Sequence, residues 1–254
     1  MYMATPSEWQ EQIEHVCITA DIQRVDLLLD QGAWDSCAVP ALKQLRPEVP
    51  WHSLFAGTPE ENLLEQAPLL MRLDLAHWQH RAWLEQLMTH CAADARLLVA
   101  ISPLSFDVLS QALQALSQMK WGGRPGLLRY YDPRIFPLLV SSILNDEQRI
   151  QYLLPVSYWS WLDRDGQPQW RRGASQTRTS IDIQSLVELS DEQCDLIGCI
   201  SDAQQLLNDG RFDRLEESKE QRFALLYRLV VRASKENYFG KLSEYVERCV
   251  LPDS

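Results

Sequence analysis

Residues 125–139, PGLLRYYDPRIFPLL, constrain the fold more than any other stretch of this sequence. Leu127, Leu128, Arg129, Tyr130 and Tyr131 form an apolar and aromatic run of strand length. Asp132 follows where a helix N-cap belongs, with Pro133 at the first helical position. A carboxylate accepts from the free amides of a first turn, and proline has no amide to leave free, so the pair suits a helix start. Ile135, Leu138 and Leu139 recur at i, i+3 and i+4 and give that helix an apolar face. Pro137 removes an early backbone bond, which predicts a kink or a ragged start.

Elsewhere, strands and helices alternate. The S-x-x-Q pattern at 7–10 predicts a capping box opening a helix that carries Trp9, Ile13, Val16 and Cys17. Strands are predicted at 25–29, 51–55, 69–73, 96–101 and 156–162, with a turn at Gln31-Gly32. Helices are predicted at 39–45, from Thr58-Pro59 up to Pro68, at 78–91 and at 102–119. The run at 96–101 is almost purely apolar, as in a strand covered on both faces. Residues 120–125, with Gly122 and Gly123, read as a loop, and Asp165-Gly166 as a tight turn returning a hairpin through 169–171. This pattern predicts an α/β lobe, a mixed sheet with flanking helices. The polar, aperiodic stretch 171–179 marks a boundary, giving an α/β lobe at 1–172 and a small all-helical lobe at 173–254. In the second lobe, helices are predicted at 190–207, 214–233 and 236–250, the first opened by another S-x-x-Q at Ser190 and ended by Asn208-Asp209-Gly210.

Composition narrows the function. The net charge is −11 and the pI near 4.9, which argues against nucleic-acid binding and against an anionic membrane. No apolar run approaches the roughly 18 to 20 residues of a membrane span. The first residues lack the basic-then-apolar order of a secretory signal, and six scattered cysteines in so long a chain read as reduced thiols. The expectation is a cytoplasmic protein.

Catalytic signatures are absent. His77 and His80 are spaced to share a helix face, but a zinc site needs further ligands and no H-E-x-x-H or C-x-x-C accompanies them. Cys194 and Cys199 fall on different faces of a helix. Gly122-Gly123 precedes a strand, the wrong order for a phosphate loop. Asp132 with Arg134 can be read as a catalytic pair of unknown class, or as a cap and a salt bridge; the helix-start residues favour the second. In the strand at 156–162, Trp159 and Trp161 share one face and Tyr158 takes the other, as core or as an aromatic contact surface. Phe223, Tyr227, Tyr238, Phe239 and Tyr245 of the helical lobe are further candidates for protein contact. No cofactor is expected.

Arg129, Tyr130, Tyr131, Asp132, Pro133 and Arg134 fit R-[FY]-[FY]-D-P-R, and with this motif the chain resembles the type VI secretion adaptor chaperones. Supporting segments are Leu54-Phe55-Ala56-Gly57-Thr58-Pro59-Glu60, Ala67-Pro68-Leu69-Leu70 and Leu29-Asp30-Gln31-Gly32-Ala33, in the same order and spacing; Gln31 departs from the family pattern. The resemblance implies a non-enzymatic protein that carries a toxic effector to the VgrG spike protein. Its α/β lobe would be the shared scaffold, and the helical lobe with the groove between lobes would hold the effector.

Overall fold

The computed structural model describes residues 6–32, 37–91, 95–174, 186–216 and 218–250. The chain divides into two compact units, one ending at Glu188 and the other beginning at Leu189. The division falls beyond the polar stretch 171–179, because a short strand returns to the first unit before the helices begin.

The first unit is built on six strands: β1 (Arg24–Leu29), β2 (Trp51–Ser53), β3 (Leu69–Asp74), β4 (Leu97–Ile101), β7 (Tyr158–Leu162) and β8 (Pro168–Arg172). They lie in the order β2-β3-β1-β4-β7-β8 and every neighbouring pair is antiparallel. The nearly unbroken apolar runs of β1, β3 and β4 therefore report cover on both faces rather than strand direction. One face sends Val25, Leu27, Leu29, Leu69, Met71, Leu73, Val99 and Ile101 into a core closed by α1 (Pro6–Thr19) and α3 (Trp78–Cys91). Trp9, Ile13 and Cys17 come from one stripe of α1; Leu84, Leu87 and Met88 come from α3. Trp9 Nε1 also donates to Ser160 Oγ on β7 at 2.8 Å. The opposite face holds Trp159 and Trp161 against Phe136, ring centroids 5.0 and 5.7 Å apart. A directly opposed cross-strand pair, Asp26 and Arg72, belongs to this face as well.

A smaller sheet, β6-β5-β9, is made of β5 (Gln118–Trp121), β6 (Arg124–Leu127) and β9 (Val187–Leu189). Residues 120–125 are thus not a loop but the tip of a hairpin. Gly122 (φ 54°) and Gly123 (φ 75°) form its two-residue turn, the left-handed pair that a type I′ turn requires. The remaining first-unit helices are α2 (Val39–Leu42), α4 (Phe106–Leu116), α5 (Phe136–Leu138) and α6 (Asp146–Leu153).

Several local expectations change. The strand expected at 127–131 ends at Leu127, and Tyr130 and Tyr131 lie in a turn. Asp132 does accept from the Arg134 amide at 2.9 Å, but regular helix begins only at Phe136 and passes at once into a wide π turn over Leu139–Ile143. Pro137 removes a donor there, and the buried face is Phe136, Leu139, Val140 and Ile143, with Ile135 and Leu138 half-buried. Residues 58–66 form successive three-residue turns instead of a helix: Thr58 Oγ1 donates to Phe55 O and accepts from the Glu60 amide. Leu63 is exposed and Leu64 alone packs on the core, so this stretch lacks the apolar face that a short helix needs. Ser7 lies inside α1, so the capping box expected at 7–10 is not formed; Gln10 bonds Glu14 instead. The cap of α4 is Ser105, whose side chain accepts from Val108, while Ser102 donates to Pro155 O.

The second unit holds α7 (Asp191–Asn208), α8 (Lys219–Lys235) and α9 (Leu242–Val250). The Ser190–Gln193 capping box forms as expected. Ile200, Ala203, Phe223, Leu226, Val230, Ala233 and Val246 are buried. The last helix starts later than the sequence suggests, because Asn237 at φ 52° ends α8 in a left-handed turn.

Candidate functional site

Two segments distant in sequence, 30–32 and 129–134, meet around two carboxylates. Asp132, 2% exposed, receives the Arg134 guanidinium in a two-pronged pair, Nε to Oδ1 at 2.9 Å and Nη2 to Oδ2 at 2.7 Å. Arg129 Nη2 lies 3.4 Å from Asp132 Oδ2 and 2.8 Å from Oδ2 of Asp30, 99 residues earlier. Asp30 Oδ1 also accepts from the Gly32 amide at 3.1 Å. Burial pulls Arg129 down, but Asp30 and Asp132 outweigh it and hold the guanidinium firmly charged. Gln31 is 1% exposed and its side chain is fully used. Its amide nitrogen donates to Leu64 O and Ala67 O, and its oxygen accepts from the Ala38 amide at 2.7 Å. On α4, Gln114 joins the next segment, donating to Ala56 O and meeting His52 Nε2 at 2.8 Å.

The two motif tyrosines are anchors. Tyr130 is fully buried and its hydroxyl donates to Leu113 O at 2.9 Å; Tyr152, 5.3 Å away ring to ring, donates to Leu116 O at 3.0 Å. Ser117 takes the carbonyls of Gln114 and Ala115, so the four free carbonyls at the end of α4 all have donors. Tyr131 is 4% exposed, and burial together with Asp30 pushes its hydroxyl up to about 12. None of these groups is tuned toward the neutral range that acid–base chemistry uses. These side chains tie the segments to one another.

Other predicted residues separate clearly. His80 is 2% exposed, with Nδ1 accepting from the Asp74 amide and Nε2 facing Pro47 O at 2.8 Å, so both ring nitrogens are committed to backbone. His77 stays with Asp74 at 3.6 Å. Burial raises the Cys194 and Cys199 thiols, which makes them poor nucleophiles. Trp159 and Trp161 are core residues rather than a contact surface, and Tyr158 is half-buried. In the helical unit Phe223 is buried, and Tyr227, half-buried, donates to Leu196 O. Tyr238 packs on Tyr245 at 5.0 Å with Arg248 over its ring at 5.3 Å, and Tyr245 donates to Glu236 at 2.7 Å. Phe239 sits beside this cluster, 97% exposed. Sequence reasoning missed the roles of Gln114 and Tyr152, since nothing local marks a side chain that serves a partner far along the chain.

Residues 27–151 match the model of a protein family described as Domain of unknown function (DUF4123). The match holds Asp30, Gln31, Gln114 and the whole 129–134 motif, and stops before β7. No curated protein and no solved structure matches the chain.

Proposed function

We propose that this protein is a non-catalytic adaptor chaperone that binds a type VI secretion effector and loads it onto the VgrG spike protein in the cytoplasm. The match of residues 27–151 to the DUF4123 family carries the reading, together with the adaptor-like motif within that span. The motif's geometry supports a scaffold role, because Asp30, Gln31, Gln114, Arg129 and Asp132 spend their polar atoms on holding its segments together. A catalytic use of Asp132 with Arg134 needs a carboxylate that substrate can reach, and Asp132 is 2% exposed with donors on both oxygens. The exposed Phe239, with Tyr238 and Tyr245 beside it, suits a contact with cargo.

Co-expression with the effector encoded beside its gene, followed by affinity capture, tests the reading. The expected result is a stable complex with the effector that also retains VgrG. Failure to form a complex with every effector so encoded overturns it.

A further inference from the structure

A groove of about 760 Å³ lies between α1 and the β7–β8 hairpin, within the range of peptide-sized sites. One wall is a stripe of α1, with Glu8, Glu11 and Gln12 at i, i+3 and i+4. The other is mostly apolar, Tyr158, Pro168 and Trp170, with Gln167 beside them. Cross-strand pairing puts these three on one face of the sheet, Trp170 opposite Ser160 and Pro168 opposite Leu162. Trp170 is held in place, its Nε1 donating to Gln12 Oε1 at 3.0 Å. Among the described residues lining the groove, the two glutamates are the only formally charged ones with histidine neutral; the exposed Arg172, opposite Tyr158, adds one cation at the end of β8.

The backbone adds a second element. Among the described residues β8 is the last strand of its sheet. Asp163 N donates to Gln167 O and Gly173 N to Ser157 O, so the odd-numbered residues of this arm face β7. By the alternation of an antiparallel ladder, the backbone of Trp170 and Arg172 faces away from β7, an edge along which an extended chain can pair.

We propose that this groove takes an extended basic peptide segment of a partner protein, laid along β8 with lysine or arginine against Glu8 and Glu11 and an apolar side chain on Trp170. Opposite charge selects the segment, and the fixed indole offers an aromatic face at little entropic cost. That the partner is the effector rests on the adaptor reading; the chemistry of the groove does not.

The test is titration of the full chain with a synthetic octapeptide carrying threonine at every odd position and lysine and valine by turns at the even ones, so that both face the groove, followed by NMR at the Trp170 indole and at the Trp170 and Arg172 amides. These resonances are expected to shift, with binding that weakens as salt is raised. The same peptide with glutamate for lysine is expected to leave them unmoved. Glu11 is exposed on α1, so Glu11→Lys keeps the fold and is expected to weaken the lysine peptide at least tenfold. Trp170→Ala is expected to abolish binding. No shift in the groove, an equal response to the glutamate peptide, or unchanged affinity in Glu11→Lys overturns the proposal. Concentration-dependent shifts without peptide make a second copy the occupant and also overturn it. Failure of the peptide with effector capture intact removes the groove and leaves the adaptor reading standing; the converse result removes the adaptor reading alone.

Discussion

Asp26 and Asp132 both carry guanidinium partners, and their surroundings give them different weight. Asp26 is fully buried, with Arg72 Nε 2.6 Å from Oδ1 and Nη2 2.9 Å from Oδ2; Arg72 is itself 9% exposed at the side chain. Burial raises the Asp26 carboxyl against the opposing pull of Arg72. Arg72→Leu would leave that carboxylate without its partner inside the sheet, and a loss of about 3–5 kcal/mol is expected. Around Asp132 the partners have an escape, since the Arg129 and Arg134 side chains are 51% and 37% exposed. Asp132→Ala therefore releases the half-exposed Arg134, leaves Arg129 with Asp30, and removes one turn cap, for a loss of about 0.5–2 kcal/mol. Urea denaturation of the two variants checks the ranking, and a larger loss at Asp132 would reverse this account. Both ion pairs were half legible. An acid inside RVDLLL and a base inside LLMRLD announce something unusual, but only the register β1 to β3 tells that they face each other.

Elements with an apolar period were legible: the strands near 25–29, 69–73 and 96–101 and the helix at 78–91 fold where their spacing puts them. Residues 58–66 mislead because Thr-Pro-Glu-Glu is a helix start followed by a single packed leucine, Leu64. The 122–123 glycines read as loop in the sequence, but their left-handed pairing makes a hairpin. Helix α4 shows the limit best. Its period is visible, yet what finishes it comes from Tyr130 and Tyr152, far away in sequence. Tyr130→Phe and Tyr152→Phe each keep the ring and strip a donor from a helix-end carbonyl. A cost of about 1–3 kcal/mol apiece is expected, with faster amide hydrogen exchange concentrated in the last turn of α4. Exchange that stays uniform across the molecule would count against this cap.

At the scale of the whole molecule, buried hydroxyls and thiols set an alkaline limit. Burial first, then Asp26 and Glu14, pushes Cys17 up to about 12, and Tyr131 is raised to about 12. Tyr130 and Tyr152 are also raised by burial. The unfolded chain releases these protons at about 8.5 for cysteine and 10 for tyrosine, so above that the native state binds more protons and stability falls. Stability is expected to hold level through neutral pH. It is then expected to drop between about pH 9 and 12, by about 1.4 kcal/mol per pH unit for each group still protonated only in the native state. Denaturation midpoints measured across that range, beside tyrosinate absorbance, check it; a midpoint that rises above pH 10 contradicts it. The first compact unit, extending to Glu188, also exceeds the family-matched span at both ends. Trp9 reaches Ser160 across 151 residues, and β7 completes the sheet beside β4. During synthesis, then, the earliest helix must wait for nearly the last strand of its unit to leave the ribosome. Until it does, the oily stripe of that helix has only half of its home, and any helper that shields nascent chains has its longest task there.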